Sequence, residues 1–510
     1  MASQLCKFYE GALLLSNAIF SIFSIVTSQL FKPYELYLVH FSKACRWFND
    51  RGEDIPGPPP KLPEGDRYTR MTDDLNLNNK YYEKYGDLYR IWNGSIPELV
   101  LARPEDIAVF YKDGLSHDLQ DMNTGHFFYK IIGESVGFAV GSTWKNMRDL
   151  LHPYFNNKAA IQFMPMMIRN ISGWLKSIPF DKNTLKVEEG YKFPLSETIK
   201  SLPLLIISHV LYNDCMTEED LIRVNEITIN HEKLMEIVFC ETLPRFSWYS
   251  IFPTSQNKLM NQMLRDWKTF CFDMNEKTIK DGKSNPAYKL YKDVEEGKWT
   301  LSQYLQTIYV ILLSNIDFSC AALSWQLIGL AQWSRVQEKL RKEVQSILAV
   351  CPKGFDDENF NNYICKKNTY LHYVCLENFR MFPVLAYTLP EFLAEDKIIR
   401  GHRIPKRTFV SIDTWTLHTK AAVWGNDSNK YHPERFEKLK PEQYRHALWR
   451  FGLGPRRCLG YFYAERMLKA IMALIVHSYE IKIPNDCEVK LHSRTLVRIP
   501  NIDFVFKPIE

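Results

Sequence analysis

The segment from Leu301 to Trp333 constrains this chain more than any other: it is mostly apolar, has no internal proline and runs for more than 30 residues. A surface helix needs only one apolar stripe and is usually shorter, so a helix of this length that is apolar all round belongs at the centre of a large domain. A chain of 510 residues with 46% apolar content can supply such a domain. Gly329 is the weak point of the segment, tolerated where something packs closely against it. Helical period continues through 348, with Glu338 and Lys342 four residues apart, and recurs over 142–155, 216–240 and 256–282. Short strands are predicted at Asp87–Trp92 and Glu98–Ala102, then at Ile398–Ile404 and Thr408–Asp413, with closing strands over 480–507. A last apolar helix is expected over Leu459–Val476, after an irregular run over 421–450 long enough to suggest a functional segment. The expected fold class is mainly α with small β-sheets, in a single large domain.

The N-terminal part reads differently. Residues 11–31 carry no charge over 21 positions, which as a helix reaches about 31 Å and covers a hydrocarbon core. No cleavage pattern follows, so an uncleaved anchor is expected. Lys32, Lys43, Arg46 and Arg51 follow it against Lys7 alone before it, which favours a cytoplasmic main body. Ser16, Asn17, Ser21, Ser24, Thr27 and Ser28 leave an interfacial or buried helix as the alternative. Residues 1–10 then form a short lumenal tail, 32–65 a linker stiffened by the prolines from Pro56 to Pro63, and 66–510 the main domain. The apolar patch over 201–212 is too short for a second span. A net charge of +5 without a basic stripe gives no reason to expect nucleic acid. Eleven cysteines without Cys-x-x-Cys pairs suit a reducing compartment.

One cysteine stands apart. Phe451-Gly452-Leu453-Gly454-Pro455-Arg456-Arg457-Cys458-Leu459-Gly460 lies directly before the last predicted helix. The glycines permit close backbone approach, and the helix start together with Arg456 and Arg457 favours a thiolate at Cys458. Such a thiolate can serve as nucleophile, zinc ligand or axial haem ligand. His446, His432 and His418 give no zinc spacing, and no base for a nucleophile can be named.

The decapeptide resembles the haem-binding signature of the cytochrome P450 family, Phe-x-x-Gly-x-Arg-x-Cys-x-Gly, with Phe451, Gly454, Arg456, Cys458 and Gly460 at its fixed positions. The resemblance implies the P450 fold, with haem b held by Cys458 as axial iron ligand, Phe451 beside the sulfur and Arg456 on a propionate. Glu377 and Arg380 resemble the family's Glu-x-x-Arg, and Pro433-Glu434-Arg435-Phe436 its Pro-Glu-Arg-Phe. The implied network of Glu377, Arg380 and Arg435 holds the loop before Cys458. Trp144 and Arg148 match Trp-x-x-x-Arg and are implied propionate donors. The proline spacer is similar to the hinge of microsomal members, which implies a single-pass endoplasmic reticulum protein facing the cytoplasm. No flavin or nicotinamide domain follows Lys507, so electrons are expected from NADPH through a separate cytochrome P450 reductase, with cytochrome b5 as a second possible donor and Arg450 and Arg457 assisting the docking.

The chain departs from the family pattern on the central helix. Ser314-Asn315-Ile316-Asp317-Phe318-Ser319 stands where Ala-Gly-x-Asp/Glu-Thr-Thr is frequent: Asp317 is retained, Phe318 replaces the first threonine, and Asn315 replaces glycine. Asp317 and Ser319 are the candidate proton-handling residues of a monooxygenase, while the lost threonine favours oxidation without oxygen insertion, by desaturation, ring closure or coupling. Pro390-Glu391 replaces the frequent Pro-Arg near a propionate, so either Glu391 points elsewhere, with His418, Trp144 and Arg148 sharing that load, or the register slips. Candidate pocket residues are Phe127, Phe128, Phe138, Asn315, Phe318, Val384, Leu385 and Leu496, a lining suited to a lipophilic or aromatic substrate. The texture is similar to fungal members that tailor secondary metabolites.

Overall fold

The computed structural model describes residues 32–34, 37, 46–66, 75–112, 125–484, 487–491 and 497–509. The anchor expected over 11–31 and Leu496 lie outside the described residues. Six helices position the site: α1 (Gly141–Phe155), α2 (Glu218–Cys240), α3 (Leu301–Gln332), α4 (Ser334–Leu348), α5 (Tyr370–Met381) and α6 (Tyr461–Ser478).

Among the described residues α3 is the one helix long and apolar enough to cross a membrane, yet it lies mostly buried inside the domain. It packs against α4, α5 and α6, which are themselves lined by apolar residues of one continuous core. Its interior is not uniform: Val310–Ser314 forms a π-helical turn, a local widening often found at functional sites. The helical period read through to 348 is interrupted at Trp333, whose φ of −121° and ψ of 80° end α3. The Trp333 ring stacks on Tyr431 at 3.9 Å between centroids, so aromatic packing ends a helix that periodicity alone would continue.

Small sheets flank this helical body. In one, Leu88–Asn93 pairs antiparallel with Ile96–Leu101, which runs parallel to Phe409–Ile412, and Glu391–Phe392 closes the edge. A second joins Leu185–Val187, Gly190–Pro194, Asp503–Pro508 and Tyr479–Lys482, all antiparallel. The described part of the proline linker is docked along the first hairpin. Pro56 O accepts from Arg90 N at 2.8 Å and Pro58 O from Trp92 Nε1 at 2.9 Å. At Gly57 any Cβ would overlap the Arg90 carbonyl, so glycine is what lets the segment lie flat there. The main domain therefore packs residues that precede position 66. The run over 421–450 contains three short helical turns, Ala422–Trp424, Arg435–Lys438 and Pro441–Tyr444.

Candidate functional site

The cysteine loop is built by its backbone. Gly452 and Gly454 adopt φ of 76° and 67°, a region that side chains rarely enter, and Cys458 N donates to Phe451 O at 2.8 Å to close the turn. Gly460 caps α6, so Cys458 precedes the helix instead of occupying its first turn. The amides of Gly460 and Tyr461 are directed at the sulfur. Burial nevertheless holds the free thiol above its ordinary pKa; the Gly460 amide, Arg148, Arg457 and the Tyr461 amide oppose it without winning. Arg456 donates to Ala139 O at 2.6 Å. Of the two arginines that draw the sulfur toward the thiolate, Arg148 on α1 acts more strongly than Arg457 beside it in the chain.

The sulfur opens onto a cavity of about 420 Å³. The loop contributes Phe451, Gly452, Arg456 and Cys458, α1 contributes Trp144 and Arg148, and α3 contributes Asn315, Phe318, Ser319 and Ala322. Apolar residues make up most of the remaining wall. Arg148 donates to Arg457 O at 2.8 Å, and the Arg456 guanidinium lies 4.9 Å from the centre of the Trp144 ring. Phe451 meets Phe379 and Tyr461 edge-on at 5.6 and 5.1 Å. The Cys458 sulfur, the arginines Arg148, Arg450 and Arg456 and the Trp144 indole, in a mostly apolar chamber, fit a flat, apolar iron tetrapyrrole that carries two carboxylates. Among the described residues no cluster of three or more His, Cys, Asp or Glu could hold another metal.

Behind the loop, the Glu377 carboxylate receives Arg380 through Nη2 and Nε at 2.7 and 2.8 Å and Arg435 Nε at 3.1 Å, with no side-chain exposure of Glu377 or Arg380. His432 N donates to the same carboxylate at 2.8 Å. Arg380 also reaches the carbonyls of His418, Ser428 and Lys430, and Arg435 those of Trp424, Asp427 and Lys430. The irregular run is therefore fastened to α5 by two guanidiniums sharing one acid.

Sequence comparison agrees with this geometry. The profile of the Cytochrome P450 family matches residues 56–506, most of the chain. The chain belongs to the cytochrome P450 family. It is 30% identical over 442 residues to the cytochrome P450 monooxygenase lepD of Aspergillus flavus, covering 86% of this chain and 85% of that one. The monooxygenase asaD of the same fungus is 29% identical over 436 residues, covering 85% and 82%, and PUL2 of Kluyveromyces lactis is 28% identical over 472, covering 89% and 91%. The chain is accordingly a P450 oxidoreductase, and its family implies haem b with electrons from an NADPH-dependent reductase.

The P450 cavity sorts the other expected residues. Asn315, Phe318, Ser319, Val384 and Leu385 line it. Phe127, Phe128 and Phe138 do not: Phe128 packs edge-on between Phe138 and Phe239, and Phe127 against Tyr249, as part of the main apolar core. Aromatic residues near a pocket pattern cannot be told from core by sequence, and here the core takes them. Asp317 also stands outside the lining, its Oδ2 3.3 Å from Nε2 of buried His231, whose Nδ1 lies 2.6 Å from the Tyr309 hydroxyl. Glu391 turns to Tyr111, whose hydroxyl donates to it at 2.8 Å, so it does point elsewhere. His418 is fully buried and accepts Trp449 N at 2.8 Å, which buttresses the loop without reaching the cavity. Arg450 is turned inward toward Glu465 at 3.8 Å, whereas Arg457 lies over the Tyr461 ring. Sequence reading missed Pro203, Ile206, Ile207 and Val210, which line the cavity from the helix Ser201–Tyr212. Their signal was the apolar patch over 201–212, weighed only as a membrane span.

Proposed function

We propose that this P450 hydroxylates or epoxidises a lipophilic or aromatic intermediate of secondary metabolism. One atom of O2 enters the product, and electrons come from NADPH through a separate cytochrome P450 reductase, with cytochrome b5 as a second donor. When bound, haem b supplies the redox chemistry that activates O2. The reading rests above all on the Cys458 sulfur opening into a mostly apolar cavity that also receives Trp144, Arg148 and Arg456.

The side chains divide the work. Cys458 is the iron ligand, and Trp144, Arg148 and Arg456 hold the two carboxylates of the cofactor. Phe451 packs beside the sulfur and limits the approach of water. Ser319 Oγ, which donates to Asn315 Oδ1 at 3.0 Å, is a cavity hydroxyl able to hold and pass a proton. The apolar walls, including Val384 and Leu385, exclude water and favour a greasy substrate. The N-terminal segment 11–31 would anchor the chain in the endoplasmic reticulum membrane as a single span, with residues 1–10 lumenal and the catalytic domain from 66 onward facing the cytoplasm.

A second reading has its own observation. Phe318 lines the cavity and Asp317 is turned to His231, so the usual acid and threonine hydroxyl are both missing from the cavity wall. Poor proton supply favours desaturation, ring closure or coupling over insertion. Turnover under labelled O2 decides between the two. One labelled atom per product supports insertion, and unlabelled product with two fewer hydrogens supports the second reading. The reduced carbon monoxide complex should show the Soret band of thiolate ligation and lose it in Cys458→Ala; a wild-type protein without that band would refute both.

A further inference from the structure

Asn315 follows directly after the π-helical turn of α3 and is half-buried at the cavity wall. Its Oδ1 is already engaged, because Ser319 Oγ donates to it one helical turn further on at 3.0 Å. Its Nδ2 has no acceptor among the described residues. The cavity surface around it is chiefly apolar, with Ile311, Phe318 and Ala322 from the same helix. An amide whose acceptor is used and whose donors face an apolar chamber is a directional feature. It rewards a ligand that brings an oxygen acceptor to that point and is left unpaired by one that does not.

We propose that Asn315, oriented by Ser319, is the specificity-determining residue of the cavity and selects substrates that carry a carbonyl or similar oxygen acceptor on an otherwise apolar skeleton. This rests on the haem-thiolate reading above and narrows its substrate class. The Ser319 hydroxyl contributes by fixing which face of the carboxamide is presented. Bond geometry then sets how the acceptor-bearing part of the molecule sits against α3, which in turn fixes the carbon offered for oxidation.

Three probes of similar size separate the possibilities: 1-tetralone has an acceptor, tetralin has none, and indole has only an N–H donor. Calorimetric titration of the haem-loaded full chain should find 1-tetralone bound about tenfold more tightly than tetralin or indole. Asn315→Leu should bind 1-tetralone and tetralin alike, and Asn315→Asp should prefer indole, because a carboxylate only accepts. Ser319→Ala should weaken the 1-tetralone preference by about two- to threefold. Equal affinity for 1-tetralone and tetralin in the wild type overturns the proposal without any variant. So does a preference for indole, which would mean that the amide presents Oδ1, or a 1-tetralone preference retained in Asn315→Leu. The reduced carbon monoxide spectrum of the same wild-type sample tests the haem-thiolate reading by itself: a thiolate band with no probe preference removes only this inference.

Discussion

Gly329 on α3 lies so close to Asn378 on α5 that a Cβ at position 329 would fall inside the van der Waals shell of Asn378 Oδ1. Asn378 cannot simply rotate away. Its Nδ2 donates to Gln326 Oε1 at 2.9 Å and its Oδ1 accepts from the Tyr431 hydroxyl at 3.0 Å. The two helices meet backbone to side chain at the centre of the core, one residue from Glu377.

Gly329→Ala is therefore an overpacking substitution, although alanine is the better helix former by about 1 kcal/mol. Overpacking in a close-fitted core costs about 1–3 kcal/mol, so the net expectation is lower stability. Urea unfolding of the haem-loaded protein should show a reduced midpoint. A midpoint equal to or above that of the wild type would show that Asn378 yields at little cost.

Glu377 offers a sharper test. Glu377→Gln leaves the Arg380 guanidinium buried without its anion and Arg435 with Asp427 alone, a situation that costs about 3–5 kcal/mol. Since these arginines also bind the carbonyls of the 421–435 run, the loss should extend to the loop that carries Cys458. Haem content after purification should fall to a small fraction of wild type, with little reduced carbon monoxide complex. Normal haem loading in Glu377→Gln would assign the loop's support to other contacts.

Much of this architecture was legible in the sequence, for identifiable reasons. α3 announced itself through unbroken apolar character, and the Gly329 contact followed from the cost of glycine inside a helix. The cysteine loop was legible because glycine and cysteine have few roles that others can fill, and Glu377, Arg380 and Arg435 because their order relative to Cys458 is specific. What stayed hidden depended on side-chain direction. Nothing in composition tells that Phe128 turns to Phe239, that Asp317 pairs with a histidine 86 positions away, or that Glu391 meets Tyr111. The break at Trp333 was hidden for the same reason, since Tyr431 reaches it from a distant part of the chain.

Buried histidines make the fold sensitive to acid. Burial, aided by the nearby Arg380 cation, pushes His418 down to about 3; burial and Lys469 push His372 to about 3. An unfolded histidine titrates at 6.5, so between that pH and 3 the unfolded chain binds protons that the native one refuses. Stability is full above 6.5 and declines as pH falls. Each histidine removes about 2 kcal/mol by pH 5. Glu465, held at about 2 by Arg450 and Lys469 despite its burial, adds a loss of the same sign below about 4.5. Urea unfolding at pH 7.5 and 5 should show a large drop for wild type and a smaller one for His418→Gln, whose amide oxygen can accept the Trp449 amide. An equal drop in both would mean that His418 is already protonated in the native state.

Asp317 and Ser319, adjacent in the expected proton-handling set, are separated by the geometry. Ser319 Oγ sits at the cavity and donates to Asn315, whereas Asp317 Oδ2 is 3.3 Å from His231 Nε2, outside the cavity wall. A proton needed at the cavity has to come through a group that reaches it, and a carboxylate held by a buried imidazole reaches it only by leaving that partner. Ser319→Ala should thus lower product formed per NADPH consumed by about tenfold, with peroxide released in its place. Asp317→Asn preserves shape and a hydrogen bond to His231 while removing charge, and should change coupling by less than about threefold. Measuring product, NADPH and peroxide together separates lost proton delivery from lost binding, because a weaker substrate fit alone is corrected by raising substrate concentration. If Asp317→Asn uncouples as strongly as Ser319→Ala, the carboxylate must swing from His231 into the cavity during turnover, and the hydroxyl does not act alone.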